Sequence, residues 1–241
     1  MAHLYEELKK RTRQLWQDQN LLGERINIRA RPLDTKEAIG NPEAHDFPLQ
    51  KGNEKLMQAE FGNGLGQAFT DRYGNFEGSL EEILQMDLKN NYRRAIFVAA
   101  LNATLRHLNL IDRTVHCRDQ DPTLCAEQLA QFIETRYRSP KITQIGYQPP
   151  MIESLSHQFP LRVIDLDPDN IGTLKYNVTI EGPEATDAAI HWADLLLVTG
   201  TTLVNGTIGQ FLNQKPALFY GTTIAGAAYL MGWERFCGQS Q

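Results

Sequence analysis

Apolar positions recur at helical spacing along the first twenty residues. Leu4, Tyr5, Leu8, Leu15 and Trp16 share one face, which predicts an amphipathic helix. Residues 26–30 instead alternate apolar and polar, the period of a half-buried strand. Residues 55–61 and 65–70 read as a strand pair, with Asn63-Gly64 between them tolerating the positive φ of a tight hairpin turn. Ser79 and Glu82 have the spacing of a capping box and open a short helix. Residues 92–108 predict a longer helix, and its run 95–101 is almost wholly apolar, so it is expected to be buried on most sides. Strands followed by helices predict an α+β first half.

The period then changes. Asp121-Pro122 starts a helix that runs to about Arg138 and stops before Ser139-Pro140. Short apolar strands follow at 142–146, 161–166, 178–180, 195–199 and 217–220, with helices between them at 151–158, 184–192 and 206–213. Alternation at this spacing builds right-handed βαβ crossovers and a parallel sheet. The expected fold class is therefore α/β: an α+β domain over 1–115 and a Rossmann-like parallel-sheet domain over 116–241, the junction lying between Asp112 and Asp121.

Composition narrows the function classes. With 41% hydrophobic and 22% charged residues in 241, the chain can bury a substantial core. The net charge of −5 and the lack of a Lys/Arg stripe give no footprint for nucleic acid. No apolar run is long enough to span a membrane, and the charged first residues do not resemble a signal peptide. A cytoplasmic location follows as the expectation. Three cysteines, Cys117, Cys125 and Cys237, then read as reduced thiols, and the sequons at Asn102, Asn177 and Asn205 carry no sugar.

In an open parallel sheet, ligands bind beyond the carboxyl ends of the strands, where the strand order reverses. That point is expected between the first parallel strand, ending in Gly146-Tyr147-Gln148-Pro149, and the fourth, ending in Thr199-Gly200-Thr201-Thr202. The fourth leads through Leu203-Val204-Asn205 into a helix expected at Gly206-Thr207, with Asn205 as its N-cap. Free N–H groups at such a start, beside a residue without Cβ, suit a carboxylate or phosphate. A compact β–α turn with no ligand is the alternative. Asp165 closes the second parallel strand at about the Rossmann distance from Gly146. However, the first turn holds one glycine and two prolines where Gly-x-Gly-x-x-Gly belongs, so NAD is disfavoured. The Asp165-x-Asp167-x-Asp169 cluster lacks the glycine and the terminal acid of a calcium loop, and a solvated turn competes with divalent-metal binding there. His116-Cys117 is a candidate for a transition metal, set against a purely structural junction. Asn102, on the apolar stripe of its helix, either bonds neighbouring backbone or helps hold a ligand.

Several longer stretches resemble a prokaryotic family of heavy-metal chelation domains, Rossmann-like and of unknown function, preceded by an enolase N-terminal-like domain. They are EAIGNPEAHDFPL (37–49), GQAFTD (66–71), TVHCRDQDP (114–122), DLDPDNIG (165–172), VTGTTLVNGT (198–207) and YGTTIAGAA (220–228). The resemblance implies one site at the domain junction, and metabolism of a metal chelate, pterin, flavin or corrinoid-like compound. It points to Glu37, Asp71, Asn102, Asp165, Asp167, Thr201, Thr202, Asn205 and Thr207, to which Gln148 and Gly206 are added from the strand-end reading. The expected function is condensation or hydrolysis of an anionic, metal-chelating metabolite, with Glu37 or Asp71 as general base. The alternative is a non-catalytic carrier of a metal or chelate. The expected partner is a small molecule, a divalent or transition metal stays open as cofactor, and a homodimer is compatible with the reading.

Overall fold

The computed structural model describes residues 2–22, 28–40, 54–119 and 121–241. The expected strand residues Ile26 and Asn27 and most of the 37–49 stretch lie outside them.

The first unit begins with α1 (Ala2–Asp18), which buries Tyr5, Leu8 and Trp16 and half-buries Leu4 and Leu15, as its periodicity requires. Strands β1 (Ile28–Pro32), β2 (Lys55–Phe61), β3 (Gly64–Thr70) and β4 (Phe76–Gly78) form an antiparallel sheet in the order β3-β2-β1-β4. A short helix α2 (Thr35–Ile39) follows β1. The β2–β3 hairpin turns one residue earlier than expected. Phe61 pairs with Gly64, so Gly62-Asn63 is the loop, and the positive φ of 56° falls on Gly62. Gly64 and Gly66 do other work, since a Cβ on Gly66 would sit 2.1 Å from the Ala103 nitrogen of the helix above.

Helix α3 (Leu80–Gln85) opens with the expected capping box: Ser79 caps the Glu82 N–H, and the Glu82 carboxylate accepts from the Ser79 N–H at 2.6 Å. Helix α4 (Asn91–His107) is buried at every position from Ala95 to Leu105. It lies on β2 and β3 and is covered on its other side by elements of the second unit. That is why its sequence is apolar all round.

The second unit starts with α5 (Asp121–Tyr137) and alternates β5 (Ile142–Ile145), α6 (Pro149–Ser156), β6 (Leu161–Ile164), a hairpin of β7 (Leu174–Lys175) and β8 (Val178–Glu181), and α7 (Thr186–Trp192). Then come β9 (Leu195–Thr199), α8 (Thr201–Asn205), β10 (Ala217–Tyr220), α9 (Ala225–Met231) and β11 (Arg235–Phe236). The sheet order is β11-β10-β9-β5-β6-β8-β7, parallel except for the edge strand β7. Counted in chain order, its six parallel strands lie 3-2-1-4-5-6, the doubly wound arrangement, and the order reverses between β5 and β9 as expected.

Alternate residues of β9 face opposite layers. Leu195 and Leu197 pack with Leu129 and Ile133 of α5, whereas Leu196 and Val198 join Phe97 of α4 and Trp16 of α1. One apolar cluster therefore runs from the antiparallel sheet through α4 into the parallel sheet, without a break at residue 115.

The expected helix at 206–213 is not formed. Its place is taken by α8, which ends at Asn205, and by a short 3-10 turn, Ile208–Phe211. Gly206 has φ 77° and closes α8, donating its N–H to the Thr202 carbonyl. Glycine in the left-handed region is a strong stop signal, and it overrides the weaker reading of Asn205 as a start.

Candidate functional site

A cavity of about 840 Å3 opens at the carboxyl ends of β5, β6, β9 and β10. Glu54, Phe69 and Asp71 of the first unit close one side, and Phe236, Cys237 and Ser240 close another. It is the strand-order switch point with a roof.

Much of its wall is occupied in holding itself together. Asp165 Oδ2 accepts from the Tyr147 N–H at 2.8 Å; its Oδ1 accepts from the Asp167 N–H at 2.8 Å and from Asn170 Nδ2 at 3.2 Å. The acid that would meet a ribose in a dinucleotide fold here braces the turns after β5 and β6. Gln148 caps α6 through the Met151 N–H at 3.2 Å. Asp167 accepts from the Asp169 N–H at 3.0 Å. The Tyr220 hydroxyl donates to the Ile145 carbonyl at 3.0 Å, and a Cβ on Gly146, whose φ is 99°, would meet Thr199 at 2.8 Å. After β9, Thr202 Oγ1 donates to the Thr199 carbonyl at 2.7 Å, and Thr199 Oγ1 donates to Thr201 Oγ1 at 3.2 Å.

Other groups keep spare capacity. Among the described residues neither the Glu54 carboxyl nor the Asn205 amide has a hydrogen-bond partner, and both line the cavity, as does Thr207. Asp71 uses only Oδ1 in a described bond, accepting from Asn91 Nδ2 at 2.6 Å. Burial, then the negative charge of Asp165, Asp71 and Asp167, push Glu54 up to about 7. Glu54 was missed in the sequence. It stands at the start of β2 next to Lys55 and carries no motif; only the packing of the two units makes it special.

Of the expected site residues, the cavity brings together Asp71, His116, Cys117, Gln148, Asp165 and Asp167. Thr201, Thr202, Asn205 and Thr207 join them across the switch point. Three do not line it. Glu37 turns to Arg31, in an ion pair of 2.9 Å, and to the Asp34 N–H at 3.0 Å; these bonds hold its carboxyl down at about 2, so it cannot take up a proton near neutrality. Asn102 is fully buried. Its Nδ2 donates to the Gln67, Thr222 and Thr223 carbonyls, and its Oδ1 accepts from the Gly226 N–H at 2.7 Å. It ties β3 to the loop after β10. Gly206 is the stop of α8, with the Arg94 guanidinium 3.5 Å from where its Cβ would be.

Charge bears on the expected anion end. The described wall carries Glu54, Asp71, Asp165, Asp167 and Asp169 and no lysine or arginine, and α8 starts at Thr201 without a side-chain cap. His116 lies in the same cavity; burial lowers its imidazole to about 4, so it is neutral, and its Nδ1 is buried without a partner. Cys117, Cys125 and Cys237 are all free and buried, and burial raises the pKa of Cys117 and Cys125. Among the described residues no three His, Cys, Asp or Glu groups enclose a point that could hold a metal ion. None of the described helices is long and apolar enough to cross a membrane.

Residues 129–218, under half of the chain, match the DUF364 family, whose description reads "Putative heavy-metal chelation". The fold is similar to that of a DUF364-family protein of unknown function from Pyrococcus horikoshii, with a TM-score of 0.57 and 19% identity over 91% of this chain and 79% of that one. A DUF364-family structure from Desulfitobacterium hafniense DCB-2, also of unknown function, aligns with a TM-score of 0.49 and 15% identity over 73% of this chain and 72% of that one. No curated protein matches the chain.

Proposed function

We propose that the protein is an enzyme that acts by hydrolysis or condensation on a small anionic metabolite arriving with the cation it chelates. The observation that carries this reading is the Glu54 carboxyl, without a hydrogen-bond partner among the described residues and raised to about 7 in a cavity walled by four other carboxylates. A bare anion is repelled by such a wall, whereas a chelate presents its cation to the carboxylates and its outer acceptors to Thr207 and the Asn205 amide. Glu54, its carboxyl raised to about 7, accepts and returns the proton that hydrolysis or condensation moves. It takes over the general-base role first expected of Glu37 or Asp71, and Asp71 helps hold Glu54 protonated at rest.

The description of the family matched over 129–218 supports a chelate as ligand. The division after residue 115 and the enolase-N-like reading of the first unit belong to the same proposal, supported by an antiparallel sheet covered by α4. Mass spectrometry of the protein purified without chelators should find an organic species bound together with a metal. Glu54→Gln should then keep the bound species but abolish its turnover. Retained turnover in Glu54→Gln contradicts the acid–base role; absence of turnover in the wild type leaves the carrier reading.

A further inference from the structure

The cavity is long, and its two ends differ. It opens across five neighbouring strands of the parallel sheet, from β6 through β5, β9 and β10 to β11. The ends of these strands are level: Ile145 pairs with Ile164 and Val198, and Tyr220 pairs with Thr199 and Phe236. Four inter-strand spacings of about 4.8 Å each place Phe236 roughly 19 Å from the end of β6.

Asp165, Asp167 and Asp169 stand in the loop after β6, and Glu54 and Asp71 reach the cavity from the roof. At the β11 end, among the described residues, no carboxylate, lysine or arginine lines the wall. Helices α5 and α6 supply Cys125 and Met151, which belong to one apolar cluster, and Phe236 packs against it. The segment before α5 lies at this end too, because Val115 and Gln241 exchange two backbone bonds of 2.8 and 3.0 Å and Arg113 Nη1 donates to the Cys237 carbonyl at 2.9 Å. It brings His116, whose ring meets that of Phe69 edge-on at 5.2 Å and which burial keeps neutral.

We propose that the ligand of this cavity is elongated and amphipathic, with a chelating head toward β6 and an uncharged aromatic body seated between α5, α6 and β11. The head rests on the chelate reading; the body rests on the β11 end alone. A charged group placed at that end would lose its water without gaining a counter-charge, so what binds there is uncharged. Phe69 and Phe236 offer rings to an aromatic body, and Met151 offers a thioether that adapts its shape. The volume of about 840 Å3 also suits a ligand of drug size better than a bare di- or tricarboxylate.

The test uses the full chain and N-phenyl-1-naphthylamine, an uncharged aromatic dye whose fluorescence rises in apolar surroundings. One equivalent should bind. Met151→Gln and Phe236→Asn should each weaken it about tenfold, as expected when part of one apolar side chain's contact is lost. With Mg2+ present, malonate carrying a phenylhexyl tail should displace the dye at a concentration at least about tenfold below that of malonate itself. Should the variants misfold, the comparison of the two malonates on the wild type still decides. No saturable dye binding, or equal displacement by the two malonates, would overturn the inference and leave the chelate reading standing. Displacement that depends on the tail but not on Mg2+ would contradict the chelate reading, and the head with it, and would leave the uncharged body standing.

Discussion

Two carboxylates on the same cavity, Asp165 and Glu54, show how differently one chemical group can be employed. Asp165 stands where a doubly wound fold places a ligand-reading acid, yet both its oxygens are engaged by Tyr147, Asp167 and Asn170. Glu54 stands at the entry of a strand with no pattern around it. Among the described residues it has no hydrogen-bond partner, and it is raised to about 7. Position in a motif therefore predicts which residues build the site, and spare bonding capacity predicts which of them are left to work. The contrast also holds between the units: in the parallel sheet Asp165, Gln148 and Thr202 are engaged in bracing its own turns, and the first unit supplies Glu54 and Asp71 as its roof.

The sharpest way to break this comparison is to remove bonds on the engaged side. Asn102→Ala leaves several buried backbone groups unpaired where β3 meets the loop after β10. A loss of about 3–5 kcal/mol in urea unfolding is expected. A loss below about 1 kcal/mol would mean that the two units are not tied there. Asp165→Asn keeps the shape but weakens three accepted bonds, and should cost about 1.5–3 kcal/mol in the same assay.

Glu54→Gln should act in the opposite direction. Its folded pKa is raised, so the folded state holds its proton more tightly, and the ionised carboxyl is a burden that grows as pH climbs from about 4 through about 7. At pH 8 the variant should be more stable than the wild type by about 1–3 kcal/mol, and at pH 4 equal to it. His116 gives the reverse slope. Its folded pKa is depressed to about 4, so the stability it contributes is present above the ordinary histidine value and is lost as pH falls toward about 4. His116→Gln should therefore flatten the acid limb of the stability curve.

Gly206→Val should destabilise by about 1–3 kcal/mol, because a β-branched residue is forced to φ 77° at the end of α8. Its effect belongs to the fold rather than to ligand binding. Glu37→Gln should be the smallest change, with little shift of the urea midpoint and no effect on turnover, since it loosens an exposed ion pair and one cap.

What could be read from the residues divides along similar lines. The capping box at Ser79, the all-apolar face of α4 and the alternation of strands and helices after Asp121 are local signals, and the structure follows them. The switch point between β5 and β9 followed from those elements alone. Asn205-Gly206 went the other way: a pair that can open a helix or close one closes it here, because Gly206 adopts the left-handed conformation. Strand β11 is two residues long and has no period to detect, so the place of Cys237 on the cavity wall was hidden. Glu54 was hidden for a deeper reason. Its environment is made by burial between the units and by Asp165, Asp71 and Asp167, two of them more than a hundred residues away in the chain, and no spacing rule connects them.

The most direct measurement is the titration of the Glu54 carboxyl itself, by carbon NMR of the full chain labelled at glutamate side chains and assigned through Glu54→Gln. A resonance that titrates near 7 and moves toward the ordinary carboxylate value in Asp71→Asn is expected. A Glu54 carboxyl that titrates near 4, as an exposed glutamate does, would remove the proton-handling group on which the proposed chemistry depends.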